Sequence, residues 1–199
     1  VTNDFSLEHL QVNTVCHHAT AGMRQAVEHL AKLGHRQIAF AGVSRQHRYP
    51  MMASAMIALG LTVDPSVNFD VEPPQQLYNH EIRRFSTEGF DDWRLRNPKV
   101  TALVCSNDYV ALGVVDAMLR AGLTPGRELS LVGYDNTEEQ FPIPGHRPIL
   151  TTINNPFERV GRRMAELLMN QVLHGQTAII HERVPVSLVV RQTTGPVFN

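Results

Sequence analysis

The chain has few of the residues that mark disulfide-bonded, membrane-spanning or nucleic-acid-binding proteins. Its 199 residues include two cysteines, Cys16 and Cys105, which both fall in predicted buried strands and form no CxxC pair. Buried thiols of this kind fit a reducing cytoplasm. No apolar run reaches the length of about 18 residues expected of a membrane span, and no basic, apolar leader opens the chain. We therefore expect a cytoplasmic protein without a membrane segment.

Charge and catalytic patterns are equally sparse. The formal net charge of −1 provides no basic face for nucleic acid, so a DNA-binding part would have to lie outside this chain. There is no GxSxG, no HExxH and no glycine-rich phosphate loop. A metal site could be considered at four histidines, His17, His18, His29 and His35. However, neighbouring residues in a strand point to opposite faces, and no acidic or cysteine partner lies at the spacing of zinc ligands. We expect no enzyme, no metal site and no cofactor.

The most informative stretch, residues 100–136, predicts a strand, a helix and a second strand. Residues 101–105 are a short apolar, β-branched run, typical of a strand buried on both faces. Asp108 can cap the helix that follows, in which apolar residues recur at helical spacing up to the C-terminal Gly122. Residues 129–132 predict the next buried strand.

Polar residues stand at the carboxyl ends of both predicted strands. Asn107 follows the first strand and Asp135 follows the second. In an open parallel sheet, ligands lie beyond the carboxyl ends of the strands, so both side chains should face one crevice. An amide and a carboxylate there can bind the hydroxyls of a sugar. Both residue types also make local caps, and that alternative stays open.

The remaining chain alternates predicted strands and helices, which indicates an α/β fold with a doubly wound parallel sheet. The predicted strands lie at 12–16, 37–41, 67–71 and 150–153, and residues 179–190 supply the last one or two strands. The predicted helices begin at Thr20, near Tyr49, near Gln75 with an interruption at Gly89, and near Pro156. The tail TTGPVFN is expected to be frayed.

Four stretches carry a resemblance to a known family. They are AVEHLAKLGHRQIAFAG, SNDYVALGVVDAMLRAGL with LSLVGYDNTEE, LTTINNPFERVGRRMAELL, and VPVSLVVRQTT. In this order they resemble the effector-binding core of the LacI/GalR family of bacterial transcription regulators, which has a type I periplasmic-binding-protein-like fold. The resemblance implies two lobes joined by three crossovers, with a small effector in the cleft between them.

The resemblance also implies how this chain divides. Residues 18–153 and 181–195 would form a complete C-terminal lobe, and residues 1–17 and 155–180 would form part of the N-terminal lobe. The chain begins with Val rather than Met, and it lacks the start of the family's first lobe and its helix-turn-helix headpiece. We therefore expect a chain truncated at its N-terminus.

Four further ligand-binding residues follow from the resemblance. Arg48 matches an arginine that reaches into the family's cleft, although Met51 and Met52 replace the usual Gly and Phe of that pattern. Ser44 lies at another position where the family touches ligand, and it is nearly as well explained as a turn serine. Asn155 and Phe157 occupy a crossover where the family often places an aromatic against the ligand. Phe157 is equally well explained as a core residue of its helix.

The family's dimer contacts map onto a separate set of residues. They lie on the helix after Asp108 and on the segment after the GYD turn, and comprise Leu112, Val115, Leu119, Glu139 and Phe141. The alternative is that the apolar members of this set simply face their own sheet. Because that helix carries apolar residues on more than one side, we expect a homodimer.

Together these features predict the effector-sensing and dimerisation core of a LacI-type repressor. A small polar effector, a sugar or sugar derivative, would control binding to operator DNA through a headpiece outside this chain. The alternative is a periplasmic sugar-binding protein of the ribose-binding type, which shares the fold but serves transport. The spellings GHRQIAF and LTTINNPF are more like the repressors.

Overall fold

The computed structural model describes residues 1–2, 11–42, 48–71, 79–142 and 144–197. The strands are β1 (Thr14–His17), β2 (Ile38–Gly42), β3 (Phe69–Asp70), β4 (Ala102–Cys105), β5 (Ser130–Asp135), β6 (Thr151–Asn154), β7 (His181–Val184) and β8 (Ser187–Val189). The α-helices are α1 (Ala19–Lys32), α2 (Arg48–Ala58), α3 (Asn79–Arg96), α4 (Asp108–Arg120), α5 (Thr137–Gln140) and α6 (Phe157–His174), and a 3-10 turn spans Pro65–Val67.

The larger sheet has six strands in the order β3-β2-β4-β5-β6-β8. All neighbouring pairs are parallel except β6 and β8, which are antiparallel. Alternate residues of the inner strands enter two different buried clusters, one shared with α3 and α4 and one shared with α1 and α2. Helices therefore cover both faces of the sheet, which confirms the predicted doubly wound α/β fold.

A second, smaller sheet pairs β1 with β7 in parallel. Helix α6 packs on it, and Val15, Val160, Leu167 and Val184 form its small buried core. Residues 181–184 thus pair in this sheet, whereas the expected division counts 181–195 with the complete lobe. Of residues 181–195, the part that pairs with the larger sheet begins at β8. The sequence could not locate this change because β7 and β8 are short and only two residues separate them.

Some helix boundaries differ from the sequence prediction. Helix α1 is capped by His18, whose Nδ1 accepts from the Ala21 N–H at 3.4 Å, rather than by Thr20. Helix α3 runs through Gly89 without the expected interruption. A Cβ at Gly89 would lie 3.2 Å from the ring of Phe69, so this glycine allows close packing rather than breaking the helix.

The C-terminal tail is held against the larger sheet and is not frayed as far as Val197. The Thr193 hydroxyl donates to the Leu131 carbonyl at 2.9 Å, and the Val197 N–H donates to the Leu33 carbonyl at 3.1 Å. The buried His35 ring lies beneath this tail, with Nδ1 2.9 Å from the Thr101 hydroxyl and Nε2 3.0 Å from the Gly195 carbonyl oxygen. The tail therefore completes the larger unit.

Within the described ranges, none of the helices combines the length and the apolar character that a membrane crossing requires.

Candidate functional site

Arg48 and Asp135 meet at the carboxyl end of the larger sheet. Arg48 is the first residue of α2, and its guanidinium donates to the Ser106 carbonyl and, at 3.3 Å, to Oδ1 of Asp135. It also lies 3.9 Å from the ring centroid of Tyr134, in a cation–π arrangement. Since both side chains of the ion pair stay about one-fifth exposed, their remaining polar atoms can reach a ligand.

Asn155 completes this group from the β6–α6 crossover. Its Nδ2 donates to Oδ1 of Asp135 at 3.2 Å. The residue is 2% exposed, and its Oδ1 is buried without a hydrogen-bond partner among the described residues. A buried acceptor without a partner is costly, so the crossover carries an unmet hydrogen-bonding requirement directly beside Asp135. We call Arg48, Asp135 and Asn155 the polar triad.

The backbone at Asp135 is in an unfavourable conformation. Asp135 has φ 105° and Asn136 has φ 57°, the two positive φ values of non-glycine residues in the described part of the chain. Such conformations persist only where surrounding contacts enforce them, and they cluster at ligand sites. Asn136 has these contacts, since its side chain bonds Asn154, Glu139 and Arg191. The turn therefore presents Asp135 in a fixed direction.

Asn107 is half-buried and serves as the N-cap of α4. Its Oδ1 accepts from the Val110 N–H at 3.0 Å, so Asn107 makes the local helix cap that was the alternative to ligand binding. Its side-chain amide nitrogen remains able to donate to a ligand. Asp108 is therefore not the N-cap that the sequence suggested. It is buried, and burial raises its pKa to about 6.

Phe157 opens α6, two residues after Asn155, and is 44% exposed. With Gln140, Asn154 and Arg159 it lines an open cavity of about 590 Å³ beside the triad's crossover. Phe157 is therefore not a core residue of its helix. Ser44, the remaining predicted ligand residue, lies outside the described residues.

Two neighbours of the triad were not predicted from the sequence as site residues. Tyr134 is fully buried beneath Arg48, and burial raises the pKa of its hydroxyl. The His17 ring lies 5.7 Å from that of Tyr134, and burial, followed by the charge of Arg48, lowers the pKa of His17. The signal that could have found His17 is its position at the first crossover, directly after β1.

The predicted dimer residues divide into two groups. Leu112 and Val115 are buried in the core that the larger sheet shares with α3 and α4, so these two face their own chain. Leu119 and Phe141 are exposed by 57% and 64%. Glu139 is exposed but accepts from Arg191 at 2.6 Å. Leu119 and Phe141 are therefore the apolar members of the set that are exposed to a partner, and the interface itself stays a prediction.

Three of the four histidines considered for metal binding have hydrogen-bond partners within the chain. His18 caps α1, His29 lies 2.9 Å from the Thr194 hydroxyl, and His35 bonds Thr101 and Gly195. In the parts of the chain that the structure covers, no three His, Cys, Asp or Glu side chains are grouped as metal ligands.

Comparison with known proteins places this geometry in a family. The family model of the periplasmic binding protein-like domain matches residues 27–194. The lactose operon repressor of Escherichia coli (strain K12) is 32% identical over 188 residues, covering 92% of this chain and 48% of the repressor. The HTH-type transcriptional repressor PurR of Haemophilus influenzae (strain PittEE) is 27% identical, covering 88% and 52%. The chain thus spans about half the length of these curated relatives.

Solved structures agree with this result. The lac repressor dimer bound to operator and the anti-inducer ONPF superposes with a TM-score of 0.73 at 29% identity, over 93% of this chain and 62% of that one. A LacI-family regulatory protein from Corynebacterium glutamicum gives a TM-score of 0.74 at 28% identity, over 92% and 67%. The chain belongs to the periplasmic binding protein-like domain family, in the form found in LacI-type transcriptional regulators.

Proposed function

We propose that this chain is the effector-binding part of a LacI-type repressor and that the polar triad binds a small hydroxyl-rich ligand, a sugar or sugar derivative. The observation that carries the proposal is the convergence of Arg48, Asp135 and Asn155 from three segments at the carboxyl ends of the strands. A guanidinium and an amide donate, and a carboxylate accepts, which matches neighbouring hydroxyls of a sugar ring. Asn107 and Phe157 would extend the site on its two sides.

The ligand would act by a shift of populations between two arrangements of the lobes. The chain passes between the two sheets after His17, after Asn154 and after Val184. A ligand that contacts both sides of these crossovers favours one arrangement by the difference in its affinity for the two. In the longer protein, that arrangement would set the spacing of two DNA-binding headpieces across a homodimer, in the cytoplasm.

The dimer would use the exposed apolar residues near the end of α4 and after α5. Leu119 and Phe141 are the predicted interface residues that are both apolar and exposed. The two curated relatives named above are repressors, and a solved lac repressor structure is described as a dimer bound to operator. This favours regulation over the alternative of a periplasmic transport protein of the ribose-binding type.

A thermal-shift screen with sugars, sugar phosphates and nucleobases tests the ligand class. A ligand present at one hundred times its Kd stabilises the native state by about 2.7 kcal/mol. For a chain of this size that corresponds to a rise in Tm of roughly 5–10 °C. A rise confined to one sugar class supports the proposal, and a panel that leaves Tm unchanged contradicts it for this chain.

Isothermal titration with the binding sugar then tests the triad. Asp135→Asn removes a charged acceptor without changing shape, and Arg48→Met removes the guanidinium. Each should weaken binding by roughly 1.5–3 kcal/mol, or more than tenfold, because charged hydrogen bonds are lost. Asp116→Asn and Arg84→Met, on partly exposed ion pairs of α4 and α3, are the matched controls. Unchanged affinity in both triad variants would refute the site.

A further inference from the structure

Asp108 is a buried carboxylate that the proposed ligand site does not use directly. It is the first residue of α4 and is 1% exposed, yet Asn107 supplies the cap of that helix. Burying an ionisable group is unfavourable unless specific partners compensate for it. The position of Asp108 therefore needs an explanation other than helix capping.

Its hydrogen bonds lead to both sides of the turn that carries Asp135. Oδ2 accepts from the Thr137 N–H at 2.7 Å and from the Thr137 hydroxyl at 2.9 Å. Oδ1 accepts from the Thr152 hydroxyl at 2.6 Å. Thr137 comes two residues after Asp135, and Thr152 lies on β6, where the Asn136 N–H donates to its Oγ1 at 3.4 Å. One carboxylate thus connects α4, the start of α5 and β6.

The strand before the turn has space for this carboxylate. Gly133 pairs with Thr152 in the β5–β6 register. A Cβ added at Gly133 would lie 2.2 Å from Oδ1 of Asp108, so any larger residue there would displace the carboxylate. The glycine, the two threonines and the aspartate therefore form one fitted arrangement directly behind Asp135.

We propose that Asp108 is a positioning residue, which holds the Asp135–Asn136 turn in its left-handed backbone conformation and so directs the Asp135 carboxylate toward the ligand. The inference rests on the proposed function for the role of Asp135 but not for the geometry of the turn. Arg191 also supports the turn, since its guanidinium donates to Oδ1 of Asn136 at 2.8 Å. With both supports in place, the turn keeps φ values that it would otherwise relax.

The ionisation of Asp108 should make the positioning of the Asp135–Asn136 turn depend on pH. The titratable groups that face it are the Asp135 carboxylate on β5 and the Cys105 thiol on β4, while α5 and β6 present Thr137 and Thr152. The ionised carboxylate accepts all three hydrogen bonds. Burial raises its pKa to about 6, so protonation near that pH replaces an acceptor with a donor and weakens the hold on Thr137.

Backbone amide NMR of the 199-residue chain tests the geometry without any ligand. In the wild type, the Thr137 amide resonance should titrate with a midpoint near pH 6. Asp108→Asn should abolish that titration and shift the Asp135 and Asn136 resonances. Thr152→Val provides a second test if Asp108→Asn does not fold. Because the hydrogen bond from the Thr152 hydroxyl lowers the pKa of Asp108, its loss should raise the midpoint of the Thr137 titration, and Thr152→Ser should restore the midpoint. Asp116→Asn, also on α4, should leave the Thr137 titration and the Asp135 and Asn136 resonances unchanged.

Titration calorimetry with D-ribose, D-glucose and lactose at pH 7.5 and pH 5.5 tests whether Asp108 affects ligand binding. For whichever sugar binds the wild type, we expect affinity to fall between pH 7.5 and pH 5.5 as Asp108 protonates. Asp108→Asn should raise Kd at least tenfold at pH 7.5 and should show no such further loss at pH 5.5. If none binds, the sugar assignment fails and the NMR result decides the positioning role alone. Unmoved Asp135 and Asn136 resonances in Asp108→Asn would overturn the inference, as would an unchanged Kd or, where that variant does not fold, an unchanged Thr137 midpoint in Thr152→Val.

Discussion

Gly113 and Gly161 both lie inside helices, but opposite effects are expected when each is replaced by alanine. On an unobstructed helix, alanine is more favourable than glycine by about 1 kcal/mol. Gly161 is exposed on α6, and apart from the backbone of its own helix no atom of the described residues lies within 4 Å of its added Cβ. At Gly113 on α4, the Cβ would lie 2.3 Å from the Arg83 carbonyl oxygen and 2.6 Å from Cβ of Ser86, both on α3.

The clash at Gly113 outweighs the gain in helix propensity. A carbonyl oxygen cannot rotate away as a side chain can, so α3 and α4 must separate, which costs roughly 1–3 kcal/mol. The separation also strains the 3.0 Å hydrogen bond from the Thr87 hydroxyl to the Gly113 carbonyl, which contributes about 1 kcal/mol. We expect a net loss of roughly 1–3 kcal/mol, or a fall in Tm of about 3–10 °C.

Paired thermal and urea denaturation of the two variants provides the assay. Gly161→Ala should raise Tm by about 2–4 °C, since its gain is at most about 1 kcal/mol. The two variants share the same chemical change, so the sign of the difference isolates the helix contact. A Gly113→Ala protein as stable as Gly161→Ala would refute the close packing of α3 on α4.

Three further predictions concern the tail, the small core and the dimer. Burial lowers the pKa of His35 in the folded chain, so the unfolded chain binds a proton first as the pH falls. The free energy of unfolding, measured by urea denaturation, should therefore decrease as the pH drops below about 6.5. His35→Gln should make this pH dependence weaker. Leu167→Ala should lower the free energy of unfolding by roughly 2–5 kcal/mol because Leu167 is 1% exposed. The control Leu168→Ala, at a residue that is 51% exposed, should change it by no more than about 0.5 kcal/mol. Equal losses in the two variants would contradict the buried core around β1. By sedimentation velocity, Leu119→Ser with Phe141→Ser should convert a dimer to monomer, whereas Ile57→Ser, on the exposed side of α2, should not; a dimer that survives the double change excludes this interface.

The periodic elements of the fold could be predicted from the sequence because their signals are local. The strand–helix–strand unit from Ala102 to Asp135 has buried runs of strand length and apolar residues at helical spacing. Gly122 and Gly175 end their helices with positive φ, as glycine at a C-terminus predicts. These features depend on residues that are close in sequence, so they can be predicted from the sequence alone.

Features that depend on distant partners could not be predicted. Asn107 and Asp108 are both good caps, and the choice between them follows from Thr137 and Thr152, which lie 29 and 44 residues further along from Asp108. Pairing of β7 with β1 joins Thr14 to His181, across nearly the whole chain.

The candidate site shows the same division. Placement of Arg48, Asp135 and Asn155 at strand or helix ends was predictable, and their ligand roles stay predictions. The sequence did not indicate that Asn155 leaves a buried oxygen without a partner among the described residues, or that Phe157 is exposed rather than in the core. Both properties depend on how three crossovers meet, which no local pattern encodes.

The antiparallel strand β8 determines when the larger sheet can be completed during synthesis. β6 leaves the ribosome long before Ser187–Val189, its partner strand, so one edge of a nearly finished sheet stays open in the nascent chain. The same delay applies to the Gly195 carbonyl and the Thr193 hydroxyl, which bond His35 and Leu131. A ribosome stalled before residue 187 would therefore hold a chain with five parallel strands and an unprotected edge, open to pairing with another nascent copy.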